Sequence, residues 1–221
     1  MSANFMLCQD NFTSLLLTGS FFLGYYTKLF ICLRQRKKKM NIKYHIETAW
    51  KLCINNIVPL IILTLVVAAV SIVSIGILAP VAMAGYTHSL FQLLKNNREP
   101  RAQDVFSQLK LFLPLFIFGL IVFIITIIGF TLFVIPGILF TIIIGYTCLY
   151  MIPIMVDKQY GLLDSIRASI TMVTRPHLAD HIIVFIVFGA LTTVGGSSFI
   201  GFLFLQPFAT LFILSVYEEI K

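Results

Sequence analysis

The chain has 221 residues, of which 59% are hydrophobic and only 11% are charged, and its mean hydropathy is +0.97. A soluble domain carries about 25% charged and about 45–50% apolar residues. This composition excludes an ordinary soluble domain, a disordered chain and a disulfide-rich scaffold, and it predicts an all-α membrane protein. Sixteen basic residues against nine acidic ones give a net charge of +7, which basic cytoplasmic loops explain without a nucleic-acid partner.

The first 39 residues differ from the rest of the chain. The segment 12–33 is apolar enough to span a membrane, and the basic run from Arg34 to Lys39 follows it. A secretory signal peptide carries its positive charge before the apolar region, so this segment does not fit one. Two interpretations stay open. Residues 1–39 are either a signal-anchor helix that adds a seventh span or an upstream extension of a membrane domain at 40–221.

Three long blocks without a charged residue follow, at 52–94, 111–156 and 182–217. One spanning helix needs about 20 apolar residues, so each block is too long for one helix and long enough for two. Glycine, proline or serine residues cluster near the middle of each block, where they favour a turn. The sequence therefore predicts three transmembrane hairpins with six spans, near 55–76, 78–95, 112–132, 136–156, 180–195 and 198–217.

The second predicted span is only moderately apolar. It contains Pro80, His88 and Gln92, so residues 78–95 are either a full span or a re-entrant segment shielded by its neighbours. The loops between the hairpins carry basic residues, whereas the three turns carry no charge. The positive-inside rule then places the charged loops and the C-terminus in the cytoplasm.

An amphipathic stretch precedes each hairpin, at 42–53, 105–112 and 163–173. Apolar residues repeat there at spacings of three and four, which puts them on one face of a helix. The apolar stripe of the last stretch consists of Leu163, Ile166, Ile170 and Val173. Such a helix lies either in the headgroup region or against the helix bundle, and the sequence leaves both alternatives open.

Two polar patterns are candidate sites. His88 and Gln92 share one helix face, and His177 and His181 flank Asp180 in an H-x-x-D-H pattern. Two histidines one turn apart can bind a metal ion, but no third strong ligand lies nearby, so polar contacts at the membrane boundary are the preferred interpretation. No metal, cofactor or catalytic residue is predicted, because the HExxH, G-x-S-x-G, P-loop and Rossmann patterns are missing from the sequence.

Residues 134–175 carry a more specific pattern. A Pro-Gly-Ile turn opens a predicted span, Pro-x-Met-x-x-Asp-Lys ends it, and Gly-x-x-x-Ser-x-Arg-x-Ser follows on an amphipathic helix. The pattern resembles the YciC-type family of uncharacterised bacterial inner-membrane proteins and, more loosely, the membrane domain of some glycerophosphodiester phosphodiesterases. The resemblance implies a six-helix fold in the bacterial inner membrane and carries no activity. The matching positions are Pro136, Gly137, Ile138, Pro153, Met155, Asp157, Lys158, Gly161, Ser165, Arg167 and Ser169.

The loop after the fourth predicted span gives a structural hypothesis. We expect Asp157 to pair with Arg167, and Ser165 and Ser169 to let their helix pack closely on the bundle. For the whole chain, the sequence predicts a non-enzymatic inner-membrane protein whose partners are the lipid bilayer and either itself or other membrane proteins. The alternative is a permease or channel component for a small or lipid-like solute.

Overall fold

The computed structural model describes residues 40–132, 134–174 and 178–221. In these ranges the chain forms only α-helices and 3-10 helices, which confirms the all-α prediction. The 3-10 helices are two short ones, Ala102–Phe106 and Leu109–Leu111. The α-helices are α1 (Ile42–Asn55), α2 (Ile57–Val73), α3 (Ala79–Asn96), α4 (Phe112–Leu132), α5 (Val134–Thr147), α6 (Met151–Lys158), α7 (Leu162–Thr174), α8 (Leu178–Gly196) and α9 (Phe199–Ile220).

Proline marks the starts of five helices. The first amide groups of a helix have no carbonyl partner inside the helix, so a proline near its start gives up no hydrogen bond there. These prolines are Pro59 in α2, Pro80 in α3, Pro114 in α4, Pro136 in α5 and Pro153 in α6. Two of these prolines, Pro80 and Pro136, lie near the middle of the first and second apolar blocks.

The three uncharged blocks contain the helix pairs α2–α3, α4–α5 and α8–α9, and the second block also contains α6. The second and third pairs are tightly closed, and Gly137 shows why a glycine is needed at one of these closures. A Cβ atom at Gly137 would lie 2.9 Å from the backbone nitrogen of Phe130 and 3.0 Å from the carbonyl carbon of Gly129. In the third pair, the backbone of Gly195 passes close to Gly201. The sequence-predicted turns in both blocks therefore lie where helices α4 and α5, and α8 and α9, reverse direction.

The structure does not support a count of six or seven spans. Within the described residues, four helical segments are long and apolar enough to cross a membrane, namely Ala102–Thr131, Val134–Lys158, Leu178–Gly196 and Phe199–Ile220. Helices α1 and α2 add a fifth only if they count as one span, and they are bent by 90° at their junction. Helix α3 is not among these segments because it carries too many weakly apolar and polar residues. The proposed seventh span at 12–33 lies outside the described residues.

The first helix pair also reaches less far than the others. Pro80, in the first turn of α3, lies beside Gly119 of α4, 3.9 Å from where a Cβ would be. Helix α4 continues for 13 residues beyond Gly119 to Leu132, which is roughly 20 Å at the helical rise. The turn between α2 and α3 therefore stands well short of the turn between α4 and α5.

The buried core lies towards the opposite end, where the charged loops are. Helix α9 is buried continuously from Pro207 to Tyr217, and ten residues of α3 are buried. One apolar cluster joins α3, α4 and α6, and it consists of Ala84, Leu111, Leu115, Met151, Met155 and Val156. The half of the molecule near the turns of α4–α5 and α8–α9 instead exposes Ile, Leu, Val and Phe side chains, as a surface that faces lipid does.

The three amphipathic stretches behave differently from one another. In α1, Ala49 and Cys53 are buried against the bundle as their spacing predicts. The stretch 105–112 forms mostly short 3-10 helices in place of one amphipathic helix. In α7 the expected stripe is wrong in part, since Leu163 is 67% exposed and the buried residues are Ser165, Ser169 and Val173. The small serine side chains occupy the buried face because they allow α7 to approach α6 most closely.

Candidate functional site

Three helix ends meet at the charged end of the bundle. Helices α3, α6 and α9 each place charged residues in or just after their last turn, where their apolar stretches stop. The side chains that meet there form a group that we call the Asp157 cluster, consisting of Lys95, Asp157, Tyr217, Glu218 and Lys221. Of these, the sequence singled out only Asp157.

Asp157 is the centre of the cluster. Its Oδ1 accepts a hydrogen bond from Lys95 Nζ at 2.8 Å. Its Oδ2 accepts one from the Tyr217 hydroxyl at 3.0 Å and one from Lys221 Nζ at 3.1 Å. The carboxylate side chain is only 14% exposed, so these charge-assisted bonds replace most of the water that it would otherwise bind.

Glu218 balances the second positive charge. Its Oε1 lies 2.5 Å from Lys221 Nζ and 3.3 Å from Lys95 Nζ. Two ammonium groups thus face two carboxylates. A network of this kind is more stabilising than a single exposed ion pair, because each side chain is held by more than one partner.

An aromatic ring completes the surroundings of the lysines. The Nζ of Lys95 lies 4.0 Å from the centre of the buried Phe91 ring, and the Nζ of Lys221 lies 5.2 Å from it. Both distances allow a cation–π attraction. Burial by itself would lower the pKa of the Lys95 ammonium, but its hydrogen bond to Asp157 and the nearby charge of Glu218 raise that pKa above its ordinary value. Lys95 therefore stays protonated at neutral pH.

The expected pair between Asp157 and Arg167 is wrong. Asp157 binds lysines from α3 and α9, whereas Arg167 is 79% exposed and lies 3.9 Å from Asp164 on its own helix. Lys158 is also exposed, with its Nζ 5.6 Å from the centre of the Tyr160 ring. The sequence placed Asp157 near the closest basic residue along the chain, but the fold brings it to residues more than 60 positions away.

Ser169 holds a break in the fourth predicted span. Helices α5 and α6 are interrupted between Thr147 and Met151. The Oγ of Ser169 donates to the Thr147 carbonyl at 2.7 Å and accepts from the Tyr150 amide at 3.2 Å, so it satisfies backbone groups that the interruption leaves unpaired. Ser165, one turn earlier, is equally buried, but its Oγ has no hydrogen-bond partner among the described residues.

The structure describes one of the two histidines of the H-x-x-D-H pattern. His181 is buried and its Nδ1 lies 3.1 Å from the Tyr150 hydroxyl, while His177 lies outside the described residues. Within the described ranges, no group of three or more His, Cys, Asp or Glu side chains could hold a metal ion. His181 thus joins α8 to the break between α5 and α6.

His88 and Gln92 also have separate surroundings. His88 is half-buried and interacts electrostatically with Asp104, Arg98 and Lys110 of the loop that follows α3. The side-chain carbonyl of Gln92 accepts a hydrogen bond from Asn96 at 2.6 Å. The shared helix face that the sequence indicated is real, but the two side chains contact different groups.

Sequence reasoning missed a second polar group, which joins α1 to α9. The buried His45 places its Nδ1 2.7 Å from the Ser215 Oγ and its Nε2 2.6 Å from the Glu219 Oε2. Ser215 and Glu219 are one turn apart, so one histidine reaches both. The available signal was the position of His45 on α1, beside the apolar stripe that packs on the bundle.

The Asp157 cluster and the contacts of His45 both connect helices through polar side chains. Within each group, the ionised and hydrogen-bonding side chains bind one another. The members are buried or half-buried, except for the exposed Lys95 and Lys221.

Comparisons of the chain with protein-family models, with curated proteins and with solved structures found no match.

Proposed function

We propose that the protein is an integral protein of the bacterial inner membrane, with its charged end and its C-terminus in the cytoplasm and with no catalytic role. One observation carries the proposal: the charged side chains of the described residues gather at one end, while the apolar helices continue away from it to uncharged turns. Basic residues are retained on the cytoplasmic side of a membrane, which gives the orientation.

A non-catalytic role agrees with the packing of His45, Ser215 and Glu219. Serine, histidine and glutamate are also the members of a hydrolase triad. Here, however, Ser215 is 7% exposed in the last two turns of α9 and contacts His45 of α1. A nucleophile needs an exposed oxygen next to donors for the developing oxyanion, so this arrangement suits a link between α1 and α9.

The chain is also proposed to be related to the YciC-type family. The support is that several of the matching positions make contacts that stabilise this fold. Gly137 allows α5 to approach α4, Asp157 centres the charged cluster, and Ser169 holds the helix break. The interpretation as a permease is the second candidate, and the buried contact between Tyr150 and His181 inside two apolar segments favours it. Thermal stabilisation of the purified protein by one class of solute would select that candidate.

We propose four membrane crossings, with the first helix pair entering from the charged side and returning to it. The loop after α3 runs along this helix, since a Cβ at Gly85 would lie 2.1 Å from the Val105 carbonyl oxygen. The same loop carries Arg98 and Asp104 as an ion pair. Charged groups stay outside the hydrocarbon core, so only the six residues from Ala79 to Ala84 are left within it. They cover about 9 Å of a core that is about 30 Å thick.

Reporter insertion tests this topology. We expect reporters after Asn97, Gln159 and Ile220 to give a cytoplasmic signal, and reporters at Val134 and Ser197 to give a periplasmic signal. A reporter at Gly76 should give no periplasmic signal, because the turn between α2 and α3 stays inside the membrane. A periplasmic signal at Gly76 as strong as that at Ser197 would show that the first pair crosses. A periplasmic signal at Gln159 would contradict the whole arrangement.

A further inference from the structure

Helix α1 has one face that the bundle occupies fully. Ala49 and Cys53 are buried, and His45 is fixed by Ser215 and Glu219. The apolar stripe that the sequence predicted for this helix is therefore used for packing within the protein. Contact between α1 and a membrane must come from its other face.

That other face combines charged and large apolar side chains. Spacings of three, four and seven residues place its members together, and all of them are exposed. We call it the outward face of α1, and it consists of Lys43, Glu47, Trp50, Lys51 and Ile54. Trp50 is 57% exposed and Ile54 is 49% exposed, while the side chain of Lys43 is 85% exposed.

Neither water nor hydrocarbon suits this face by itself. Exposure of Trp50 and Ile54 to water costs free energy. The lysines and Glu47, in turn, cannot enter the hydrocarbon core unpaired. The headgroup region accommodates both kinds of group, since tryptophan favours it and lysine side chains reach from it into water. The right angle between α1 and the far more apolar α2 also brings α1 to the point where the chain enters the membrane.

The charge of this face and of the sequence that precedes it favours anionic lipid. From Arg34 to Lys51 the sequence has seven basic residues and a single acidic one, Glu47. Glu47 lies 3.8 Å from Lys43 in an exposed pair, which is weak enough to rearrange. Lys51 lies one turn further along the same face. Each basic residue near an anionic surface adds to the attraction, and this attraction falls away within about a Debye length.

We propose that the outward face of α1 binds anionic phospholipid headgroups, with Lys43 and Lys51 at the phosphates and Trp50 at the level of the glycerol backbone. This inference rests on the membrane location proposed above. It adds a lipid class, a site and a depth to that proposal. The edge-to-face contact of Trp50 with Phe208 of α9, at 5.9 Å between ring centres, connects this site to the buried core.

Trp50 is the sole tryptophan of the chain, so its fluorescence reports on this face directly. The full chain is reconstituted in vesicles of phosphatidylcholine alone and of equal parts phosphatidylcholine and phosphatidylglycerol, then washed at alkaline pH and floated. We expect bromine atoms near the headgroup end of the acyl chains to quench Trp50 more than bromine atoms near the chain ends do. Phosphatidylglycerol should increase this shallow quenching and shift the emission to shorter wavelength.

Lys43→Gln combined with Lys51→Gln should weaken the dependence on phosphatidylglycerol. Arg101→Gln combined with Lys110→Gln removes the same charge from another exposed part of the charged end and should preserve it. Stronger quenching by aqueous iodide than by either bromolipid would overturn the inference, as would an equal phosphatidylglycerol effect in both double variants. Failure of the protein to float with washed vesicles would overturn the proposed membrane location itself.

Discussion

At the scale of single residues, the structure assigns different weights to side chains that look equivalent in the sequence. Asp157, in the last turn of α6, and Asp164, in the first turn of α7, are both acidic residues. Asp157 is bound by two lysines and a tyrosine hydroxyl, whereas Asp164 has one exposed partner at 3.9 Å. Partial burial makes the difference, because it prevents water from replacing the protein ligands.

Asp157→Asn should therefore destabilise the protein. The change keeps the shape of the side chain and removes the charge that Lys95 and Lys221 share. We expect the free energy of unfolding in detergent to fall by about 2 kcal/mol, between the ~0–1 kcal/mol of an exposed pair and the ~3–5 kcal/mol of a fully buried one. Asp164→Asn is the matched control and should change it by less than about 0.5 kcal/mol. Equal effects of the two substitutions would contradict the role of the Asp157 cluster.

Gly85 offers a second comparison at this scale. A Cβ there would lie 2.1 Å from the Val105 carbonyl oxygen, whereas one at Gly189 of α8 would meet nothing within 4 Å. Gly85→Ala should push the loop 97–111 away from α3 and lower stability by about 1–3 kcal/mol. Faster trypsin cleavage at Arg98 and Arg101 would report the displacement.

Gly189→Ala should instead leave the stability of the protein unchanged or raise it, since alanine favours a helix over glycine by about 1 kcal/mol. Unchanged trypsin cleavage in the Gly85 variant would show that the loop is not held against α3.

At the scale of elements, the broken segment from Val134 to Lys158 shows how one helix can satisfy the backbone groups left unpaired in another. The sequence predicts a single span over 136–156, and the structure has α5 and α6 with an interruption between them. Pro153 contributes to the interruption, because it lacks the amide that would bind a carbonyl one turn earlier. Helix α7 returns alongside and supplies the Ser169 hydroxyl to the groups left over.

Ser169→Ala and Ser165→Ala form a matched pair at this scale. Both serines are fully buried on α7, and only Ser169 bonds to the interruption. Loss of the Ser169 hydroxyl leaves the buried amide of Tyr150 and the half-buried carbonyl of Thr147 unpaired. We therefore expect the midpoint of thermal unfolding in detergent to fall, with a loss of about 1–3 kcal/mol. Ser165→Ala should be neutral or stabilising, because the removed hydroxyl is buried without a partner. A larger loss at Ser165 would contradict this account.

At the scale of the whole molecule, the two ends of the bundle follow different rules. At the charged end, α1, α3, α6, α7 and the last turns of α9 bury a core that contains satisfied polar groups. At the other end, α4, α5 and α8 expose most of their apolar side chains. A membrane explains this division, since lipid covers apolar helices without protein contacts while charged loops gather in water.

The sequence by itself determined the helical class and the positions of the last four apolar segments. Spans predicted at 112–132, 136–156, 180–195 and 198–217 correspond to the segments Ala102–Thr131, Val134–Lys158, Leu178–Gly196 and Phe199–Ile220. Apolar length, proline and glycine are local signals, and a helix that hydrogen-bonds within itself needs little else.

Only the tertiary structure decided how deep the first helix pair reaches, which face of α7 is buried and which groups bind Asp157. The sequence could not supply the reach of α3, because it depends on the contact of Pro80 with Gly119 and on the loop packed at Gly85. It could not supply the partners of Asp157 either, since Lys95 and Lys221 lie 62 and 64 residues away along the chain. Ion pairs form between the helix ends that packing brings together, and the packing depends on side-chain shape over the whole bundle.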